Sequence, residues 1–275
     1  MQIEVIIEKK SHKLDAEEGK TILETLQEHG IHVLTAPCGG RGRCGKCTVE
    51  VEHMGEVLAC MTKVTDGMRI TIPEVQLRAQ KSKIAENGTV THYPADDGEG
   101  LDAACDIGTT TVVCHLIDGK TGEKLATVSE PSAQRSFGAD VLSRIQAAEA
   151  GKLEILKEQI IFQIAQMLRT LQKKTGRGEQ IQRLAVVGNT VMCHLFAGIS
   201  PVSIGVTPFM PQEFFGKEYT GEQLGLTDCR SVYIAPAVAG FVGGDITSDL
   251  LAVMQKKPKD KVLLLDIGTN GEMAV

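Results

Sequence analysis

Four cysteines spaced C-x5-C-x2-C-x12-C, Cys38, Cys44, Cys47 and Cys60, restrict this 275-residue chain more tightly than anything else in it. The first three share one glycine-rich stretch, APCGGRGRCGKC, and the fourth arrives with a later turn, GEVLACM. Gly39, Gly40, Gly42 and Gly45 carry no Cβ, so the backbone can wrap closely and turn its N–H groups toward sulfur. A loop of this kind suits a [2Fe–2S] cluster, in which each iron takes two thiolates and the whole carries net negative charge. The first spacing is x5 where plant-type ferredoxins have x4, and the fourth cysteine is closer than in that type. Both departures change the subtype and leave the chemistry intact.

Other uses of these cysteines fit less well. Cys44-Gly45-Lys46-Cys47 has thioredoxin-like spacing, but that motif opens a helix, and here it runs into the strand-like TVEVE. Structural zinc is usually held by two short-spaced pairs, of which there is one. Disulfides require an oxidising compartment, and the N-terminus reads as an acidic strand, not as a signal peptide. Cys105 and Cys114 lie in apolar strand-like runs and read as core. Cys193 adjoins His194, but neighbouring helical residues diverge by about 100° and do not face each other. Cys229 is left without an assigned role.

The flanks of the cysteine loop are consistent with a small domain. MQIEVIIEKK alternates as a strand, and SHKLDAEEGK reads as a turn. Thr21 is placed to cap a helix through Ile22, Leu23 and Leu26, with Glu24 at the capping-box position and Gly30 near its end. TVEVE and MRITIP read as further strands. This order resembles the ferredoxin β-grasp domain over residues 1 to about 74. The resemblance implies that Cys38, Cys44, Cys47 and Cys60 are the metal ligands.

Net charge is −6 with no tryptophan and 4% aromatics, which argues against a nucleic-acid partner and offers no stacking platform. No apolar run reaches membrane-spanning length. Eight cysteines without an export signal point to reduced thiols and a cytoplasmic setting. The length allows two cores.

Residues 75–100 are polar and read as a linker, with an ordered strap across the second domain as the alternative. An apolar strand then runs into Asp106-Ile107-Gly108-Thr109-Thr110, followed by a strand, a turn at Asp118-Gly119 and another strand. Gly108 permits close backbone approach, the threonines Thr109 and Thr110 offer hydroxyls and N–H groups to a phosphate, and Asp106 is placed to orient a hydrated Mg²⁺. The pattern recurs as Asp266-Ile267-Gly268-Thr269-Asn270-Gly271 after a second apolar strand. Between them, Gly188-Asn189-Thr190 and Gly243-Gly244 each lead into a helix, where backbone N–H groups bind anions well. Leu153, Leu156, Ile160, Ile164, Met167 and Leu171 form the core stripe of an amphipathic helix ended by Gly176.

The paired turns resemble the actin, sugar-kinase and heat-shock-chaperone ATPase superfamily, whose two ribonuclease-H-like lobes close over ATP. DIGTT, FGADVLSRI, VVGNT, GFVGGD and DIGTNGE, joined to a [2Fe–2S] domain, resemble the reductive activators of corrinoid proteins over nearly the whole chain. The resemblance implies a β-grasp ferredoxin domain (1–74), the linker (75–100) and an α/β ATPase-type domain (101–275). It implies bound ATP and Mg²⁺, with Asp106 and Asp266 catalytic and Gly108, Thr109, Thr110, Gly243, Gly244, Gly268, Thr269 and Asn270 on the nucleotide. The implied activity is ATP-dependent reduction of a Co(II) corrinoid protein of a methyltransferase system to Co(I), with electrons from a reductase or ferredoxin. Family members continue well beyond the second phosphate motif, so the chain is expected to be a fragment with an incomplete second lobe and no complete ATP site. Two other functions remain open at this point: a ferredoxin-type module with a non-catalytic docking domain, and a small-molecule kinase with a ferredoxin sensor.

Overall fold

The computed structural model describes residues 1–74, 93, 98–268 and 271–275. Most of the expected linker, 75–100, therefore lies outside the described residues, as do Thr269 and Asn270. The chain divides into two compact units, Met1–Lys83 with Ala133–Ala147, and Ile84–Ser132 with Ala148–Val275.

In the first unit, β1 (Gln2–Ile7) alternates as its sequence predicts, with Ile3 and Val5 buried. A two-residue reversal at Glu8 and Lys9, both at positive φ, returns the chain along β2 (Lys10–Asp15), so half of the segment read as a turn is a strand. The alternation that would have revealed it is missing, because β2 is an edge strand whose only buried side chain is Leu14. The helix α1 (Ile22–Glu28) starts on the predicted capping box: Glu24 N–H donates to Thr21 Oγ1 at 3.2 Å, and Thr21 N–H donates to Glu24 Oε2 at 2.9 Å. Its end is closed by Gly30 at φ +69° and by Ile31 N–H donating to Leu26 O. β3 (Thr48–Val51) and β5 (Arg69–Thr71) lie where the sequence places them, and β4 (Gly55–Leu58) adds a strand the sequence did not reveal. The sheet order is β2-β1-β5-β3-β4, with only β1 and β5 parallel. Ile22 and Leu26 of α1 share one core with Val5, Val49, Val51 and Ile70 of this sheet.

The second unit is a six-stranded mixed sheet. β6 (Leu101–Ile107), β7 (Thr111–Asp118) and β8 (Lys124–Pro131) form an antiparallel meander. β9 (Ile181–Val187) and β11 (Cys229–Ile234) continue it in parallel with β6, and β10 (Lys217–Thr220) closes the edge, in the order β10-β11-β9-β6-β7-β8. Between β8 and β9 the chain first contributes a 3₁₀ turn (Ala133–Phe137) and α2 (Val141–Ala147), which group with the first unit. It then forms α3 (Leu153–Thr175), whose predicted apolar stripe is buried from Leu156 to Leu171, with Leu153 half-buried, and which packs against β7, β8 and α4 (Thr190–Ala197). Gly176 ends α3 at φ +69°. The single-turn α5 (Gly221–Leu224), α6 (Gly244–Gln255) and the hairpin β12 (Leu264–Ile267) and β13 (Gly271–Ala274) complete the unit. Because β6, β9 and β11 are parallel and in register, their carboxyl ends lie side by side. Among the described residues no helix is long and apolar enough to cross a membrane.

Candidate cluster and phosphate sites

The cysteine loop joins α1 to β3. Gly39, Gly40, Gly42 and Gly45 all adopt positive φ, +63°, +81°, +70° and +63°, the region that side-chain-bearing residues avoid. The turns aim donors at sulfur. Burial pushes the Cys38 thiol up, but the Cys44 side chain and the backbone N–H groups of Cys44, Arg43 and Arg41 outweigh it and bring the group down to about 6. At Cys60, burial and the Cys47 thiol push the value up to about 12, against the Gly42 N–H. Cys38 thus hydrogen-bonds with Cys44 and Cys60 with Cys47, and the Cys38 charge also reaches Cys60. Among the described residues no three side chains converge as ligands of one metal ion. Two thiol pairs under a canopy of amides match the needs of two irons, and the residues present fit a [2Fe–2S] cluster. The stretch from Ala36 to Cys47 holds three cations, Arg41, Arg43 and Lys46, all exposed, and no carboxylate.

Three of the four candidate phosphate turns follow the parallel strands β6, β9 and β11, and the fourth follows β12 of the separate antiparallel hairpin. Thr109 is buried, and its Oγ1 accepts a 3.0 Å hydrogen bond from Asn189 Nδ2. Asn189 also caps α4, its Oδ1 accepting from Met192 N–H at 3.0 Å. Asp245 N–H donates to Gly188 O at 3.3 Å. A Cβ on Gly243 would lie 2.5 Å from Asn189 Cα and 2.6 Å from Gly188 O, so the Gly243-Gly244 turn, third in chain order, packs backbone to backbone on the second, Gly188-Asn189-Thr190. Ser132 N–H donates to Thr110 O, tying the end of β8 to the first turn.

These turns gather carboxylates. Burial, then the charges of Asp245, Asp266 and Asp249, push Asp106 up to about 7, although its surface is open to solvent. Burial raises Asp245, Asp249 and Glu272, and the Asp266 charge adds to the rise in each. Asp106 and Asp266, assigned from matching motifs, are thus within electrostatic reach of each other. Gly244 opens α6 beside Gly243, and Gly268 is exposed after β12. Sequence reasoning passed over Asp245 and Asp249 as site residues and marked Asn189 only for the backbone of its turn, not for its side chain. The GFVGGD and VVGNT stretches marked two of the turns, but nothing in them told which side chains would meet Asp106 and Thr109. A pocket of mutually repelling carboxylates favours a divalent cation. Among the described residues no three of them are arranged to ligate one directly.

The remaining cysteines are buried in the second unit. Cys193 and His194 are engaged apart from each other: Cys193 Sγ donates to Gly188 O, while His194 uses Nδ1 on Thr190 O and Nε2 as acceptor for Glu213 N–H. Cys105 and Cys114 are register partners on β6 and β7 with sulfurs 2.6 Å apart, in the core as expected. Cys229 is buried on β11.

Residues 4–74 match a 2Fe-2S iron-sulfur cluster binding domain, and residues 101–257 match the RACo middle region. The chain is 28% identical, over 88% of its length, to the corrinoid activation enzyme RamQ of Eubacterium limosum, and covers 54% of that protein. It is 28% identical, over 62% of its length, to the [Co(II) methylated amine-specific corrinoid protein] reductase of Methanosarcina barkeri, and covers 33% of it. A solved reductive activator for corrinoid, iron-sulfur protein superimposes with a TM-score of 0.60 at 26% identity, over 98% of this chain and 61% of the other. The chain thus spans about half of the first of these curated relatives and a third of the second.

Proposed function

Since this chain belongs to the RACo family, we propose that it is an iron–sulfur electron-transfer protein that reduces a Co(II) corrinoid protein to Co(I) with the help of ATP. The observation that carries the reading is the pairing of the thiols two by two beneath amide donors, in a chain that also gathers carboxylates around phosphate-type turns. The names of its relatives support the corrinoid substrate.

In this reading Cys38 and Cys44 hold one iron, and Cys47 and Cys60 the other. When bound, the cluster supplies single electrons at low potential. The loop amides stabilise the negative charge, and the exposed Arg41, Arg43 and Lys46 offer a positive face to an acidic donor or corrinoid partner. The donor is a reductase or ferredoxin, the acceptor a corrinoid protein of a methyltransferase system, and the setting the cytoplasm.

Reducing Co(II) is uphill from such a donor, and each tenfold shift of a one-electron equilibrium corresponds to about 59 mV. ATP can help only by binding one state better than another. In this reading, Gly108, Thr109 and Thr110 cradle phosphate from one side, and Gly243, Gly244, Gly268, Thr269 and Asn270 supply further backbone donors. Asn189 fixes the Thr109 hydroxyl. Asp106 and Asp266 orient the waters of Mg²⁺. Residues 1–74 form the cluster domain, 75–100 the connection, and 101–275 an ATPase-type domain of the ribonuclease-H-like, actin and sugar-kinase class. A three-stranded meander continued by two parallel strands with aligned ends supports that class.

The test is anaerobic. The reconstituted chain, chemically reduced, is mixed with a Co(II) corrinoid protein, and Co(I) is followed by absorbance with and without MgATP. Co(I) formed from the reduced cluster is the expected result, and acceleration by MgATP is expected once the chain is extended to the full length of its relatives. Reduced cluster that never passes an electron to cobalt, with a corrinoid protein that a cognate activator does reduce, would sink the reading.

A further inference from the structure

The segment Ala133–Ala147 lies in the middle region by sequence but packs in the first unit, on the loop that carries Cys38. Ala139 N–H donates to Pro37 O at 3.2 Å, immediately before Cys38. A Cβ built on Gly39, immediately after it, would lie 3.2 Å from Phe137 O and 3.8 Å from Ser143 Cβ. Gln27 of α1 donates from Nε2 to Ser136 O at 2.9 Å, and Arg41 donates to Gln146 Oε1. Two hydrogen bonds, from Ala139 and Arg41, and the close approach at Gly39 thus hold the start of the ligand loop to this segment, which Gln27 also ties to α1.

At the centre of the segment lies a buried cation. Arg144 has 0% relative exposure and is the largest fully buried side chain of the protein's described residues. It closes the segment on itself: Nε and Nη2 donate to Gly138 O, each at 3.4 Å, and Nη1 donates to Gln134 Oε1 at 3.3 Å. Burial lowers it to about 9, with Asp140 opposing and Arg135 assisting, so it stays protonated at neutral pH. Removing a guanidinium from water is costly, and the hydrogen bonds to Gly138 O and Gln134 Oε1 offset part of that cost. Ser143, its neighbour in sequence, is the side chain that meets Gly39.

We propose that Ala133–Ala147 is a clasp on the ligand loop, pinned by Arg144, which holds the Cys38 end of the loop closed and sets a buried positive charge beside the anionic cluster. The charge effect rests on the cluster reading above; the clasp does not. Gln134, Gln27 and Arg144 are positioning residues in this scheme. A nearby positive charge favours the more negative, reduced state, so its loss makes the midpoint potential more negative.

Three variants of the full chain separate the two effects: Arg144→Met, Arg144→Lys and Gln27→Leu. In the cluster-free protein, alkylation of Cys38 is timed by peptide mapping. In the reconstituted protein, the midpoint is measured by spin-resonance titration. Arg144→Met is expected to speed Cys38 alkylation severalfold and to cut the reduced-to-oxidised ratio at fixed poise at least threefold, about 28 mV. Arg144→Lys keeps the charge but loses the fork, so the midpoint returns toward the native value while alkylation stays fast. Gln27→Leu speeds alkylation and leaves the midpoint in place. Unchanged alkylation in both Arg144→Met and Gln27→Leu overturns the clasp, and lysine and methionine shifting the midpoint alike overturns the charge effect. If Arg144→Met does not fold, alkylation in Gln27→Leu decides. If the native chain takes up no iron and sulfide, it is the cluster reading that fails, and Cys38 alkylation still judges the clasp.

Discussion

Cys38 and Cys60 are 22 positions apart, and all four sulfurs are gathered by one loop and the turn after β4, whereas Asp106 and Asp266 are 160 positions apart, on the six-stranded sheet and on the separate β12–β13 hairpin, and come within electrostatic reach only in the folded chain. The thiol site is electrostatically relaxed at its start: donors pointing at Cys38 bring the thiol down to about 6. The carboxylate site is loaded the other way, since burial and three neighbouring charges push Asp106 up to about 7. A local loop can supply its own donors from consecutive amides. A site assembled from distant turns brings side chains of one sign together and leaves a mobile cation to balance them.

The sharpest way to break this contrast is at the loop. Cys44→Ser removes a thiolate from one pair and is expected to abolish stable uptake of iron and sulfide, measured per chain after anaerobic reconstitution. Cys193→Ser, in the second unit, is expected to leave uptake intact. Cluster content surviving Cys44→Ser, with loss in Cys193→Ser, would move the metal out of the loop altogether.

The same contrast explains what could be read without coordinates. The cysteine loop, the capping box of Thr21 and Glu24, the stripe of α3 and the β6–β8 meander announce themselves through short-range spacing. β2 did not, because an exposed edge strand has no apolar period to display. The grouping of Ala133–Ala147 with the first unit was hidden for a different reason: FGADVLSRI has its own helical pattern, and nothing local says which unit its buried face will join. Asp245 and the side chain of Asn189 were invisible as site groups because their roles exist only once three strand ends are aligned.

A second prediction probes that alignment. Gly243→Ala places a Cβ 2.5 Å from Asn189 Cα and 2.6 Å from Thr190 N, so the backbone of two turns must part. A cost of about 2–3 kcal/mol is expected from denaturant unfolding of the second unit. A stability unchanged within error would mean that the second and third turns are not in close contact.

The third concerns charge. A carboxyl raised in the folded state stabilises the fold while it stays protonated, and that contribution is lost as pH rises from its ordinary value of 3.8 toward about 7. Asp106→Asn should therefore be more stable than the native chain at pH 8, by about 1–2 kcal/mol once the full shift is discounted for the exposure of Asp106. The gain should vanish near pH 4. Mg²⁺ should narrow the difference at pH 8 by stabilising the native chain alone. A gain that persists at pH 4 would point to packing and not to repulsion.

The smallest effect compares two helix caps, one from each region. Thr21 caps α1 with its own neighbour Glu24, so everything it does is local: it accepts from Glu24 N–H and its own N–H is met by the Glu24 carboxylate. Thr21→Ala should cost about 1 kcal/mol in unfolding of the first unit and leave cluster content unchanged, since Glu24 can still reach the backbone N–H. Asn189 makes an equivalent bond to Met192 N–H but spends its amide on Thr109, 80 positions away. Asn189→Asp keeps the oxygen that caps α4 and removes the donor, so its stability loss should be no larger than that of Thr21→Ala. Its effect on ATP-supported cobalt reduction, measured in the chain extended to the full length of its relatives, should nevertheless be clear, because the Thr109 hydroxyl is released and a negative charge is added where phosphate is proposed to bind. Equal behaviour of the two substitutions, small in stability and silent in the ATP-dependent assay, would reduce Asn189 to an ordinary cap and detach the second turn from the phosphate site.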